Sequence, residues 1–343
     1  MGAEASVASC ARSVTHLRDA LRRVLVVSLA PAADVAKYPS DLGVATLTDR
    51  RIGWGVLGAA GIAISAVLPA IAKSNNGRVV AIASRDPRRA RKVAEGYPDA
   101  QVADSYEALL ADPNVDAVYI PLVNSVHKEW TLRALAAEKH VLCEKPLAMN
   151  AVEAEEMAVA AESSGKHLME AFMYRFHPRT RRFVEGLRDP LYVHASFGFT
   201  MGRKDDYRAH AELGGGALLD VGCYVVSASR WVLGEPANVF ARSRVSGGVD
   251  MTTSALLEFA GGETSSIFAS FEAPEVQELT VVARDGVHYL ERPFMSRDEA
   301  DSYQLMVESF GESIVEGKPV AIPLSESIAN MKVLDQIRDA AES

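Results

Sequence analysis

From Arg51 to Glu170 short, almost wholly apolar segments alternate with amphipathic ones, and this order leaves few folds open. The apolar segments are Ile52–Leu57, Val79–Ala83, Val115–Ile120, His140–Cys143 and His167–Glu170. Between them lie helical patterns: an apolar-rich one ending at Ser74, a charged one over Pro87–Glu95, a short one that Ser105 caps, one over Trp130–Ala137 and one over Ala151–Ser164. Asn75-Asn76-Gly77 stops the first with turn chemistry. A strand that is apolar throughout is buried on both faces. Such strands, alternating with helices, predict a parallel sheet covered on both sides.

After about residue 190 the pattern changes to period two. Tyr192–Phe199 alternates as a half-buried strand does, and so do segments near Val239–Val245, Ser254–Phe259, Ser265–Phe271 and Leu279–Ala283. Glycine-rich or acidic turns such as Gly247-Gly248 and Asp285-Gly286 join them, which reads as antiparallel sheet. A helix over Ala217–Val232 precedes most of these strands, and two more are expected near Ser302–Glu316 and Ser325–Ala341. The expected fold class is α/β. A Rossmann-type parallel sheet over 51–172 is followed over 173–343 by an α+β domain with a large, mostly antiparallel open sheet.

The 343 residues suit two domains, and 48% hydrophobic with 24% charged residues is the balance of a chain with a real core. A net charge of −9 repels phosphate backbones, so nucleic acid is not an expected partner. Cys10, Cys143 and Cys223 offer neither a disulfide framework nor metal-site spacing, and fit a reducing, cytoplasmic compartment. No apolar run approaches the ~20 residues of a membrane span. Residues 1–50 stand apart. Arg22-Arg23 followed by Val24–Ala30 mimics an export signal, but the apolar stretch is short and about twenty residues precede the arginines, which favours a poorly ordered extension or an upstream start.

Three places carry chemistry. The turn after the first strand has Gly58 at the first position of the dinucleotide pattern G-x-G-x-x-G, with Ala60 and Ala63 at the other two and an added Gly61 before Ile62. Such a turn aims a helix N-terminus at a pyrophosphate. After the second strand stands Ser84-Arg85-Asp86, where an acid usually binds the ribose of NAD; a hydroxyl followed by a guanidinium suits the 2′-phosphate of NADP better, with NAD the alternative. Glu144-Lys145-Pro146 ends the strand at 140–143, on the edge where ligands of open α/β sheets gather.

Taken together, Gly55–Ala63, Asn124-Ser125-Val126-His127, Glu144–Leu147, Met173–Pro178 and Gly214–Tyr224 resemble the Gfo/Idh/MocA oxidoreductases, the family of glucose–fructose oxidoreductase and inositol dehydrogenase. The resemblance spans Arg51 to the C-terminus and implies that Lys145 lies at the nicotinamide and takes part in catalysis. Where inositol dehydrogenases carry Asp-x-x-x-His, this chain has Asp220 and Tyr224. That pairing is similar to the glucose–fructose oxidoreductase, dihydrodiol dehydrogenase and NADP-dependent xylose dehydrogenase branch. Residues i and i+4 share a helix face, so both are expected in one pocket. Tyr224 is expected as general acid/base, its pKa lowered by Lys145 and by an oxidised nicotinamide nearby, with Lys145 also holding the substrate hydroxyl and Asp220 orienting the sugar. Pro121, Asn124, His127 and Glu144 join the expected cofactor contacts. Arg175, His177 and Arg208 are candidates for substrate contacts.

The expected activity is hydride transfer between NADP and a sugar or polyol, foremost as an aldose 1-dehydrogenase on a xylose-like sugar. A ketosugar reductase, a trans-dihydrodiol dehydrogenase and a non-catalytic NADP-binding regulator are the alternatives. Phe197, Phe199, Phe268 and Phe271 are expected on an exposed sheet face that pairs copies into a homodimer or homotetramer.

Overall fold

The computed structural model describes residues 51–342 except 203, 204, 296, 297 and 299. The segment over 1–50, read above as an extension or a leader, lies outside the described residues.

The first sheet has six strands, all parallel, in the order β3-β2-β1-β4-β5-β6. They are β1 (Ile52–Leu57), β2 (Gly77–Ala83), β3 (Gln101–Val102), β4 (Ala117–Ile120), β5 (His140–Cys143) and β6 (Leu168–Glu170). Its helices are α1 (Leu68–Lys73), α2 (Pro87–Ala94), α3 (Tyr106–Leu110), α4 (His127–Ala136) and α5 (Ala151–Ser164). Short polar residues start them: Asp86, Ser105 and Asn150 each accept a main-chain N–H of the first turn. Strand order turns back between β1 and β4, so a crevice opens there beyond the carboxyl ends of the strands.

Six further strands form a second sheet in the order β12-β11-β7-β10-β9-β8. They are β7 (Pro190–Gly198), β8 (Pro236–Ser246), β9 (Val249–Phe259), β10 (Thr264–Ser270), β11 (Val276–Ala283) and β12 (Gly286–Glu291). Neighbours are antiparallel except β7 with β10, which run parallel because α7 (Cys223–Leu233), β8 and β9 intervene in the chain. Helices α8 (Ser302–Glu316) and α9 (Leu324–Glu342) close the chain. Trp54 of β1 meets Phe310 of α8 with ring centroids 5.7 Å apart. Two-residue β3 is too short to show a period, and α6 (Pro178–Gly186) buries only Thr180, so neither announces itself in the sequence.

The aromatic face proposed from sequence needs correction. Phe197 and Phe271 are buried, Phe197 stacking on Phe294 at 5.3 Å and Phe271 packing on Phe199 at 5.2 Å. Strand alternation turns Ala195 and Phe197 to the same inner side as Ile267 and Ala269, against α7. Phe268 stands at the opposite phase, and a groove on that outer face is lined by Phe268, Phe240 and Leu256. Among the described residues one helical stretch, Ala211–Leu233, is long and apolar enough to cross a membrane, but 83% of it is buried within the protein.

Candidate active site

The crevice at the strand ends holds two cavities. At its centre lies the glycine turn. Gly58 has φ +119°, a value L side chains rarely adopt, and a Cβ there would lie 2.9 Å from Leu122. Nothing stands within 4 Å of where a Cβ on Gly61 would point, which leaves open space where the helical turns over 61–67, which run on into α1, begin. Ala60, Gly61, Ile62, Pro121, Asn124, Glu144 and Lys145 line a cleft of about 600 Å³. Ala63 is fully buried and does not reach it; its small side chain lets the helix lie close to the sheet, a correction to its expected contact.

A second cavity, about 420 Å³, is lined by Ser84, Arg85, Tyr106, Trp130 and Leu213 among others. Asp86, the acid beside it, caps α2 by accepting the Arg88 N–H at 3.0 Å, which leaves Ser84 and Arg85 at the cavity. An open helix N-terminus between an apolar slot with an arginine at its rim and a deeper cleft fits a dinucleotide phosphate ester.

Three expected contacts fall elsewhere. His127 is fully buried, and both its ring nitrogens meet main-chain carbonyls, Pro146 O at 2.9 Å and Leu122 O at 3.0 Å. It ties two cleft loops together and has no surface left for a ribose. His177, also buried, starts α6, its Nδ1 accepting the Arg179 N–H at 3.2 Å while Nε2 donates to Asp298 O at 2.7 Å. Arg175 lies over Trp231 at 4.0 Å and faces Glu326 at 3.9 Å. None of the three lines the cleft. Each sits in a recognisable motif, but the motif uses it to hold the scaffold.

At the cleft floor the charges converge. Lys145 Nζ donates to Asp220 Oδ1 at 2.8 Å and to the Asp220 carbonyl at 2.9 Å, while Arg208 Nε donates to Asp220 Oδ2 at 2.6 Å. A wide π-helical turn over Leu218–Gly222 carries Asp220 and runs into α7, which carries Tyr224, so both reach the same cleft. Burial pushes the Asp220 carboxyl up, but Lys145 and Arg208 outweigh it and hold it at about 2. Burial likewise works against the Lys145 ammonium, and Asp220 more than compensates, leaving its pKa well above the usual lysine value. Beside them Tyr119 donates to Glu144 Oε1 at 2.5 Å, and beneath the loop the buried Glu170 accepts the Leu147 N–H at 2.9 Å, burial raising its pKa to about 7.

Tyr224 lies in a cage of Phe172, Tyr174, Phe197 and Phe294, with ring centroids 5.4 to 5.7 Å away. Its hydroxyl points to Met173 Sδ at 3.9 Å, and Lys145 Nζ stands 5.1 Å from its ring centre. The lysine does favour the phenolate, but burial in the aromatic cage is the larger effect and carries the pKa well above that of a free tyrosine. The expected lowering is therefore reversed: the hydroxyl keeps its proton at neutral pH.

Sequence reasoning missed Tyr207, Glu275, Gln277, Arg292, Met295 and Tyr303, which complete the cleft. Gln277 had a signal: it stands at the inward phase of β11 where Leu279 and Val281 follow. Tyr207 precedes the singled-out Arg208, and burial and Asp220 push its hydroxyl up to about 12.

An open parallel sheet with a glycine turn at its switch point, opening on a cleft with a buried lysine, carboxylate and tyrosine, defines a nicotinamide-dependent oxidoreductase. Residues 52–172 match the model of the Gfo/Idh/MocA oxidoreductase family, NAD-binding Rossmann fold, and residues 187–288 match that family's C-terminal domain. The chain belongs to this family and is an oxidoreductase. It is similar to the D-xylose 1-dehydrogenase (NADP(+)) 2 of Haloferax volcanii, 39% identical over 319 residues, covering 84% of this chain and 97% of that protein. A trans-1,2-dihydrobenzene-1,2-diol dehydrogenase of Xenopus laevis is 35% identical over 64% of this chain and 68% of its own length. Among solved structures, a variant 3-ketoreductase from Actinomadura kijaniata, in complex with TDP-benzene and NADP, superposes with a TM-score of 0.79 at 29% identity, covering 85% of this chain and 98% of that one.

Proposed function

We propose that the chain is an NADP-dependent aldose 1-dehydrogenase acting on a free, xylose-like sugar. The observation that carries this is the buried Lys145–Asp220–Arg208 network beside Tyr224, on the floor of a cleft that begins at the Gly61 turn. When bound, NADP supplies the hydride acceptor. The sugar hydroxyl gives its proton to Tyr224 once that side chain is ionised, Lys145 stabilises the oxygen's developing charge, and Asp220 holds Lys145 and orients the sugar. An uncharged substrate is favoured by balance: Lys145, Arg208 and Arg292 face Glu144, Asp220 and Glu275 in the cleft lining. A ketosugar reductase or dihydrodiol dehydrogenase would use the same groups. The presence of both Lys145 and Tyr224 at the cleft speaks against a non-catalytic regulator. A screen of aldoses, polyols and diols with NADP, followed at the reduced-nicotinamide absorbance, tests the assignment; oxidation of a diol but of no aldose would move it to the alternative.

NADP is favoured over NAD because Arg85 faces the second cavity while Asp86 serves the helix cap. A charge-assisted contact to the 2′-phosphate is worth about 1.5–3 kcal/mol. Arg85→Ala is therefore expected to weaken NADP binding roughly tenfold or more and to leave NAD almost unchanged, as measured by fluorescence titration. Equal losses for both cofactors would rule the contact out.

Two further readings complete the picture. The free, buried Cys143 and Cys223 suit a reducing cytoplasm. The outer face of the second sheet exposes Phe240, Leu256, Val287 and Tyr289, which favours pairing of copies there. Sedimentation is expected to give a dimer or tetramer at micromolar concentration, and Phe240→Glu should shift it towards monomer. A monomeric wild-type mass would refute the pairing.

A further inference from the structure

Glu275 just before β11, Gln277 within it and Arg292 just after β12 bring to the cleft lining three polar side chains that the hydride-transfer chemistry does not use. Gln277 is only 7% exposed, its Nε2 donates to Glu275 Oε1 at 3.4 Å, and its Oε1 has no partner among the described residues. Arg292 Nη2 donates to the same Glu275 oxygen at 2.9 Å. Arg292 also has φ +49°, a strained value for a residue with a Cβ. Two main-chain contacts hold it there: its N–H donates to the Gln277 carbonyl at 2.9 Å, and Arg179 reaches its carbonyl at 3.4 Å. That turn lays the guanidinium on Glu275 at the cleft wall. A glutamine left half-satisfied on the inward side of a strand, where its neighbours are apolar, is costly to the fold, and its place in the cleft lining lets a polar ligand complete it.

We propose that Glu275, Gln277 and Arg292 form a hydroxyl-reading wall that binds the part of the substrate remote from the reacting carbon and selects uncharged polyhydroxylated compounds. The proposal rests on the aldose reading above. Glu275 accepts from sugar hydroxyls, Arg292 donates to them, and Gln277 does both. The paired charges cancel, so the wall offers a diphosphate no net positive charge and a nucleotide-linked sugar is a poor ligand here.

The test compares wild type with Gln277→Leu and with Arg292→Gly, the latter keeping the left-handed turn while removing the guanidinium. Substrates are an aldopentose, its analogues lacking one distal hydroxyl each, and glyceraldehyde. Each variant is expected to raise KM for the full pentose about tenfold or more with kcat changed little, because a site built for hydroxyls discriminates by leaving polar groups unpaired. KM for at least one deoxy analogue, and for glyceraldehyde, is expected to stay within about twofold in the same comparison. NADP affinity, measured alongside, should match wild type, and the thermal midpoint should not fall below it, since one variant removes an unpaired buried polar group and the other a strained turn. Millimolar UDP-glucose is expected not to compete. Equal losses on pentose, deoxy analogues and glyceraldehyde, or tight competition by UDP-glucose, would overturn the wall. Wild-type turnover of no aldose would remove the functional reading itself, a different result from normal turnover with unaltered hydroxyl discrimination in the variants.

Discussion

Tyr224→Phe is expected to lower turnover by ~100- to 10,000-fold, the range that general acid–base catalysis contributes, while folding and NADP binding stay close to wild type. The substitution removes one hydroxyl whose nearest polar contact is a thioether, so the aromatic cage around the ring stays filled. The pH dependence carries the finer test. Burial keeps the hydroxyl protonated at neutral pH, so sugar oxidation, which needs the phenolate, should speed up as pH rises through the alkaline range. Reduction uses the protonated form and should not share that rise. Lys145→Ala is expected to do comparable damage, and the double variant should lose far less than the product of the single losses, because the two act as a unit. If Tyr224→Phe turns over a verified substrate at near wild-type rate with an unchanged pH profile, another group carries the proton. Tyr207 would be the first to test, since it lines the cleft and His177 does not.

Asp220→Asn is expected to cost the fold about 3–5 kcal/mol, the usual loss when one partner of a buried ion pair is removed. The residue is 3% exposed and carries the counter-charge for both Lys145 and Arg208. Denaturant unfolding at neutral pH measures it. The acid side gives an independent sign. The Asp220 pKa is about 2 in the folded protein against 3.8 for an ordinary aspartate, so its contribution is complete above pH 3.8 and fades as pH falls towards 2. That contribution is on the order of 2 kcal/mol. In the variant this part of the acid sensitivity should be missing. Catalysis should suffer too, because without Asp220 burial dominates at Lys145 and lowers its pKa, leaving a smaller fraction charged beside the substrate oxygen. A variant as stable as wild type, with Lys145 chemistry unchanged, would show that the network is not what holds the floor of the cleft.

Much of this was legible before any coordinates. The apolar runs at 52–57, 117–120 and 140–143 are parallel-sheet strands because a strand buried on both faces carries few polar side chains, and those only where a partner is at hand. Gly58 stands out because a turn at φ +119° favours glycine, and Gly61 because it leaves open space at the start of the helix that follows. Lys145, Asp220, Tyr224 and Arg208 were found by motif order, and the fold brings them to one cleft. The motif gave no means of telling residues that face the cleft from residues that fasten it. His127, His177 and Arg175 belong to the same short signatures, yet their partners are a loop carbonyl, a helix N-terminus and a tryptophan from a distant helix.

Local chemistry, then, is what the sequence by itself determined: strand and helix periods, the turn that opens the dinucleotide crevice, the arginine in place of a ribose acid, and the order of the lysine, carboxylate and tyrosine. These follow from interactions between near neighbours along the chain, or from a period repeated within one element. Tertiary structure alone decided the direction of the Tyr224 shift, the phase of the phenylalanines in the second sheet and the polar wall of Glu275, Gln277 and Arg292. Each depends on desolvation or on contacts between residues far apart in the chain. A pKa responds to how much water the whole fold removes from a group as well as to its nearest charge. For Tyr224 the aromatic cage, four rings drawn from three separate segments, outweighs the lysine that the sequence had placed beside it.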